Sequence, residues 1–92
     1  MYKVHSTKAY RRAYKRVSKH KDFSQDVLDE IIDTLARGEV LKAKYHDHQL
    51  TGEFKDSREC HVKNNILLAY RKYEGILVLV LVDIGTHDDL FR

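Results

Sequence analysis

The chain has 92 residues and a net charge of +3, with 42% hydrophobic and 34% charged residues. This length suits one domain over residues 1–92, and the composition is typical of a folded globular protein. No apolar run approaches the roughly 20 residues that span a bilayer, and residues 1–5 lack the apolar core of a signal peptide. With Cys60 as the single cysteine, no internal disulfide is possible, and we expect a cytoplasmic protein.

Charge is distributed unevenly along the chain. Residues 1–22 hold eight basic residues and one acidic residue, a balance of +7. Residues 23–40 hold one basic and five acidic residues, a balance of −4. A basic segment of this kind suits contact with a polyanion, and it is equally typical of a solvated helix surface.

The first forty residues predict a strand and a helical hairpin. Residues 1–6 predict the short strand, and two apolar stripes at helical spacing predict the two helices. The stripes are Tyr10, Ala13, Tyr14 and Val17, then Leu28, Ile31, Ile32 and Leu35. Asp22 is a candidate N-cap of the second helix, with Ser24 as the alternative, and Gly38 is well placed to end it.

The remaining residues predict an irregular connection and a meander of strands. Residues 41–51 show no clear period. Strands are predicted over residues 58–63, 66–72 and 76–84, with turns at Asn64-Asn65 and Glu74-Gly75. Gly85 is predicted to end the last strand, and a short tail follows. The element order predicts an α+β fold: a short N-terminal strand, a helical hairpin, then a three- to four-stranded antiparallel sheet.

Four of the six histidines are placed where they can meet. His46 and His48 lie in the connection, His61 lies in the first strand of the meander, and His87 lies in the tail. A meander can bring these positions to one edge of the sheet. Because an imidazole has a reference pKa of roughly 6.5, such a group suits general acid–base catalysis near neutral pH.

Two alternatives remain open for these histidines. One is a metal site formed by His46, Asp47, His48 and His61, although the sequence contains no metal-binding signature such as HExxH or CxxC. The other is no function, which is the interpretation we favour for His5, His20 and His46. Alternation along residues 58–63 places Cys60 on the face opposite His61, away from any such site.

Three segments resemble the signatures of one protein family. Residues 45–52, Tyr-His-Asp-His-Gln-Leu-Thr-Gly, resemble an Asp-His-x-Leu-x-Gly segment. Residues 58–62, Arg-Glu-Cys-His-Val, and the following Leu-Leu-Ala-Tyr at 67–70 resemble a strand pair. Residues 85–91, Gly-Thr-His-Asp-Asp-Leu-Phe, resemble a C-terminal signature. In this order and spacing, they resemble the YafQ-type toxins of the RelE/ParE superfamily, whose RelE-like fold matches the predicted elements.

The resemblance implies a type II toxin that is a ribosome-dependent endoribonuclease. Such toxins cut mRNA in the ribosomal A site without a metal or other cofactor, through attack of the 2′-hydroxyl on the adjacent phosphate. The resemblance implies functional roles for His48, His61, His87 and Phe91. We expect His87 to be the general acid, His48 or His61 to be the base or phosphate partner, and Phe91 to stack on a base.

Two positions depart from the family pattern and affect the expected phosphate contacts. The family often has an acidic residue in the turn after the His-Val strand, where this chain has Asn65. Many members have an arginine four residues before the C-terminal histidine, where this chain has Asp83. An asparagine cannot act as a base, so Asn65 is limited to hydrogen bonding with the substrate. We therefore expect Arg58 or Lys63 to supply the positive charge near the phosphate.

The resemblance also implies partners. They are the ribosome with its mRNA and a small antitoxin of the ribbon–helix–helix, DinJ-like type, which contacts operator DNA and forms a heterotetramer with the toxin. The basic first helix is suited to an acidic antitoxin tail or to ribosomal RNA. No membrane partner is expected. Two other functions remain open: a ParE-like topoisomerase inhibitor that is not an enzyme, and a degenerate toxin that only binds its antitoxin.

Overall fold

The computed structural model describes residues 1–63 and 65–90, which form a five-stranded sheet with its helices. The helices are α1 (Lys8–Val17), α2 (Gln25–Ala36) and α3 (His87–Leu90). The strands are β1 (Lys3–Ser6), β2 (His48–Gln49), β3 (Arg58–Lys63), β4 (Ile66–Tyr73) and β5 (Val78–Thr86). Two short 3₁₀ turns, Ala43–Tyr45 and Gly52–Phe54, flank β2. Within the described ranges, no helix has the length and apolar character needed to cross a membrane.

The strands are arranged in the order β1-β5-β4-β3-β2. Strands β2 to β5 pair antiparallel, whereas β1 runs parallel to β5, with Lys3 opposite Val78 and Ser6 opposite Leu81. The predicted α+β fold is therefore confirmed. The N-terminal strand forms one edge of the sheet, and the two-residue β2, which lies inside the predicted irregular connection, forms the other.

Helices α1 and α2 form the predicted hairpin. Ser24 is the N-cap of α2, since its Oγ accepts a hydrogen bond from Val27 N at 3.4 Å. The prediction of Asp22 as the cap is wrong, because it lies two residues before the cap in the turn between the helices. Gly38 follows the end of α2 with a φ of 77°, a left-handed conformation that glycine adopts without steric cost.

The core lies between the helical hairpin and one face of the sheet. Its helical members are Tyr10, Ala13, Val17, Leu28, Ile31 and Leu35, and its sheet members include Cys60, Val62, Ile66, Leu68, Tyr70, Leu79 and Ile84. Burial of one leucine or isoleucine side chain stabilises the fold by about 1.5–3 kcal/mol. Burial also raises the pKa of the Cys60 thiol, which keeps it neutral among these apolar side chains.

Strand β5 differs from its prediction at both ends. It begins at Val78 because Leu77 has a φ of 52° and belongs to the preceding turn, where Ile76 is 71% exposed. It continues through Gly85, the predicted end, to Thr86. Residues 87–90 form α3, where the sequence pattern predicted a short tail.

Gly85 leaves room for α3 to fold back against the sheet. A Cβ atom at this position would lie 2.9 Å from Asp89 Oδ2, which is too close for van der Waals contact. Asp89 is held there by a reciprocal capping box. Its carboxylate accepts from Thr86 N at 3.0 Å, and Thr86 Oγ1 accepts from Asp89 N at 3.2 Å. The capping box begins α3 and fixes the position of His87.

Candidate functional site

The connection that carries His46 and His48 is attached to the fold on both sides of His46. On the first side, the buried Tyr45 donates a hydrogen bond to the Glu30 carboxylate of α2. This bond raises the pKa of Tyr45 to about 12 and lowers the pKa of Glu30. The phenol therefore stays protonated and the carboxylate ionised at neutral pH, which are the states that the bond requires.

On the second side, Asp47 binds two residues of the sheet. Its carboxylate accepts hydrogen bonds from Arg58 at 3.1 and 3.3 Å and from the Tyr70 hydroxyl at 2.5 Å. The paired carboxylate raises the pKa of Arg58, while burial, followed by the Asp47 hydrogen bond, raises the pKa of Tyr70. Arg58, a predicted phosphate contact, thus directs two of its donors to the loop that carries the histidines.

Between these two attachments, His46 adopts a left-handed backbone conformation with a φ of 50° and a ψ of 43°. For a residue other than glycine, this conformation costs roughly 1–2 kcal/mol, and it persists only where the surroundings hold it. The ring of His46 lies against that of His61, with centroids 5.2 Å apart and planes inclined by 59°. The structure therefore pairs a histidine of the connection with a histidine of β3.

The two rings border an open groove of about 450 Å³. Its described lining residues are Val27, Lys44, Tyr45, His46, His61, Val62 and Lys63. Lys44 and Lys63 are the charged side chains of this described lining, which holds no carboxylate, so the groove is electropositive. An anion such as a phosphate group is the ligand that this charge distribution favours.

His48 lies next to this groove, opposite Glu59 on β3. Its Nδ1 is 2.7 Å from the carbonyl oxygen of His46, and its Nε2 is 3.5 Å from Glu59 Oε1. The Glu59 side chain is only 7% exposed, and its Oε2 makes no hydrogen bond within the described residues. Because both ring nitrogens face oxygen atoms, His48 can donate to both only when both nitrogens carry a proton.

His87 lines a second depression, together with Asn65, Thr86 and Asp88. The sheet register relates this depression to the groove, since Ile66 pairs with Lys63 on one side and with Thr86 on the other. Two inter-strand spacings, roughly 10 Å in total, therefore separate the backbones of Lys63 and Thr86. The two depressions lie along one end of the sheet, within the span of a short stretch of RNA.

The structure thus distributes the predicted site residues over neighbouring positions. His61 and Lys63 line the groove, His48 lies beside it, and Asn65 lies with His87 in the second depression. Phe91 lies outside the described residues. Asp83 pairs with Ala69 on β4, and burial raises the pKa of its carboxyl group.

Two residues of this region were not predicted as functional. For His46 we favoured no function, although the meander was expected to bring the connection that carries it towards His61, where the structure places the two rings together. Glu59 was not named as a site residue, although alternation along β3 and the register with His48 together indicate its position. In residues 1–63 and 65–90, no three His, Cys, Asp or Glu side chains are grouped so that they could hold a metal ion.

Comparison with known proteins identifies the family. A family model described as "Bacterial toxin of type II toxin-antitoxin system, YafQ" matches residues 2–92. The chain belongs to the YafQ toxin family. The resemblance in its three signature segments is therefore confirmed. A search of curated proteins by sequence gave no match.

Solved structures agree with membership of the YafQ family. A metal-bound toxin from Helicobacter pylori is 35% identical, with a TM-score of 0.89, over 99% of this chain and 100% of that chain. The toxin of the E. coli DinJ-YafQ toxin–antitoxin complex is 26% identical, with a TM-score of 0.85, over 99% and 98%. YafQ from E. coli BL21(DE3), 22% identical with a TM-score of 0.88 over the full length of both chains, shares the fold.

Proposed function

We propose that this YafQ-family toxin is an endoribonuclease that cuts mRNA in the ribosomal A site. The observation that carries the proposal is the electropositive groove of His46, His61, Lys44 and Lys63, which lies beside the depression of His87. Together they supply what cleavage of a phosphodiester requires: a base, an acid and positive charge near the phosphate.

In the proposed reaction the phosphorus exchanges its bond to the 5′-oxygen for a bond to the neighbouring 2′-oxygen. A base removes the proton of the 2′-hydroxyl, and the 2′-oxygen forms a bond to the adjacent phosphorus. The bond from phosphorus to the 5′-oxygen breaks, and an acid protonates that oxygen. The products are a 2′,3′-cyclic phosphate and a free 5′-hydroxyl, and no oxidant, reductant or external nucleophile is consumed.

Geometry supports a division of roles among the histidines. Both ring nitrogens of His48 face protein oxygen atoms, so His48 is less suited than His61 to be the base and takes the role of phosphate partner beside the groove. His61 borders the groove and is suited to be the base, while His87 on α3 is the acid. Phe91 would stack on a base of the mRNA.

The polar residues around the histidines complete this assignment. Lys63 would contact the phosphate as a cation in the groove, and Asn65 would hydrogen-bond the strand beside His87. Arg58 acts through Asp47, by fixing the connection on which His46 and His48 lie.

Primer extension on an mRNA tests the proposal. The purified protein is incubated with that mRNA, with and without programmed ribosomes. EDTA is added to the reactions that contain RNA without ribosomes. We expect cuts that depend on the ribosome, are lost in His87→Ala and persist in His5→Ala, a matched histidine on the edge strand β1. If the wild type makes no cuts under any condition, the nuclease proposal fails. A gyrase supercoiling assay would then test topoisomerase inhibition.

The proposed partner is an antitoxin, as in the E. coli DinJ-YafQ complex. Lys8, Arg11, Arg12 and Lys15 line a shallow basic groove on α1 that suits an acidic helical tail. We further propose a heterotetramer that contacts operator DNA through the antitoxin. Arg12→Glu combined with Lys15→Glu should weaken antitoxin binding at least about tenfold, measured by calorimetry. Lys55→Glu, an exposed lysine on another surface, is the control. Equal affinities for both variants would exclude this surface.

A further inference from the structure

We propose that His46 is a substrate-positioning residue that, with His61, Lys44 and Lys63, binds a phosphate of the RNA strand. The inference rests on the proposed endoribonuclease function and specifies a contact with its substrate. His46 directly precedes the Asp-His-x-Leu-x-Gly segment, so the signature itself does not assign it a role. The inference therefore depends on its conformation and its surroundings.

The first argument is the backbone conformation. His46 is exposed and lies outside the core, so packing of its ring does not require a left-handed φ. Nevertheless, the Tyr45–Glu30 hydrogen bond on one side and the Asp47 contacts on the other hold it there. Non-glycine residues held in this region cluster at sites that bind ligands. The consequence here is that the ring faces His61 across the groove.

The second argument is the chemistry of the groove. His46, His61, Lys44 and Lys63 can each donate a hydrogen bond to a phosphate oxygen, and the described lining offers no competing carboxylate. Because the phosphate is ionised, hydrogen bonds to it are charge-assisted and stronger than neutral ones. Since the groove lies beside the depression of His87, a phosphate bound there fixes the strand next to the site of cleavage.

The experiment removes the ring without disturbing the backbone. In His46→Asn the imidazole is lost, yet asparagine accepts the left-handed conformation. His46→Lys places another hydrogen-bond donor at the same position, and His5→Asn is the matched control on β1. The probe is a short oligoribonucleotide with 2′-O-methyl groups, which cannot be cleaved because its 2′-oxygens carry no proton. Its dissociation constant is measured by fluorescence anisotropy, alongside cleavage kinetics on programmed ribosomes and the melting temperature of each variant.

We expect His46→Asn to bind the oligoribonucleotide about tenfold more weakly, the effect of losing one charge-assisted hydrogen bond. A group that positions substrate contributes to ground state and transition state alike, so KM should rise and kcat should stay near its wild-type value. His46→Lys should recover most of the affinity, and His5→Asn should bind like the wild type.

Two results separate this inference from the proposed function. If His46→Asn binds and cleaves like His5→Asn, with an unchanged melting temperature, the positioning role is wrong and the nuclease proposal stands. If the wild type does not cut mRNA on programmed ribosomes, the nuclease proposal fails. Oligoribonucleotide affinity then decides the inference: tenfold weaker binding by His46→Asn supports the groove as a phosphate site, and equal binding overturns it.

Discussion

The helical hairpin and the histidine-bearing connection are held in the fold by different forces. The hairpin is attached through apolar stripes, whose buried members include Leu28, Ile31 and Leu35. The connection also buries Leu41 and Tyr45 in the core, but the segment around His46 is held by hydrogen bonds and an ion pair, from Tyr45 to Glu30 of α2 and from Asp47 to Arg58 of β3. The first attachment is nondirectional and mainly provides stability, whereas the second is directional and sets the orientation of individual side chains.

This difference explains where the candidate site is located. Acid–base catalysis depends on positions within hydrogen-bonding distance, which an apolar interface does not specify by itself. The polar attachments hold His46 and His48 beside β3, where they meet His61 and Glu59. Substitutions in the two regions should therefore affect different quantities, stability in the hairpin and activity in the connection and α3.

The largest effect on activity is expected from His87→Gln. Glutamine keeps hydrogen-bonding capacity but cannot transfer the proton that the 5′-oxygen requires, so cleavage should fall by at least about 100-fold. Because the side chain is exposed, the midpoint of urea unfolding should not change. Primer extension on programmed ribosomes measures the first quantity and circular dichroism the second. Wild-type cleavage in this variant would remove His87 from the mechanism.

The converse pattern is expected for Leu35→Ala in the hairpin. This side chain is 2% exposed and lies on α2, so its truncation should lower the free energy of unfolding by about 2–5 kcal/mol. Cleavage per folded molecule should remain at the wild-type level. Ile32→Ala, at a half-buried position of the same helix, should cost less. A loss of specific activity in folded Leu35→Ala would show that the two regions are not separable.

Asp47→Asn should produce a mixed effect. Asparagine retains an acceptor for Tyr70 but loses the charge that pairs with Arg58, so the connection should loosen. We expect cleavage to fall about tenfold and stability to fall by about 1 kcal/mol, since the pair is partly solvated. Glu39→Gln, which breaks the exposed ion pair with Arg37, is the matched control and should change neither. Identical behaviour of the two variants would contradict the anchoring role.

The smallest effect is expected from Asp83→Asn. Burial raises the pKa of the Asp83 carboxyl group, so folding is favoured when that group is protonated and loses stability as pH rises through the folded-state pKa. At neutral pH the neutral asparagine should therefore stabilise the fold slightly, because the partly exposed carboxylate is still well solvated. The gain should disappear in acid, where the wild-type carboxyl is protonated in both states. Urea titrations at neutral and at acidic pH measure this gain in stability. A gain that is larger in acid would contradict the raised pKa of Asp83.

Local sequence patterns predicted the parts of the fold that depend on local rules. The two helices follow from apolar spacing, and β3 follows from alternation, with the bounds Arg58–Lys63 as expected. Strand β2 has two residues, which is too short for any period to be visible. The start of β5 was wrong because Ile76 and Leu77 are apolar yet lie in a turn, where the positive φ of Leu77 ends the extended pattern.

The candidate site was predictable only in part, for a similar reason. The signature segments indicated His48, His61 and His87, because those residues stand in recognisable patterns. The pairing of His46 with His61 depends on contacts between residues far apart in the chain, such as Asp47 with Tyr70. No local pattern encodes such contacts, so the role of Arg58 in holding the loop was equally hidden.

The parallel pairing of β1 with β5 has a consequence for the order of folding. Lys3 lies opposite Val78, so the first strand to be synthesised finds its partner only after β5 has been made. Closing a loop of this length costs conformational entropy, which is offset only when the contacts between β1 and β5 form. This pairing should therefore be a slow step of folding. A nascent chain therefore lacks its completed sheet until β5 has left the ribosomal exit tunnel.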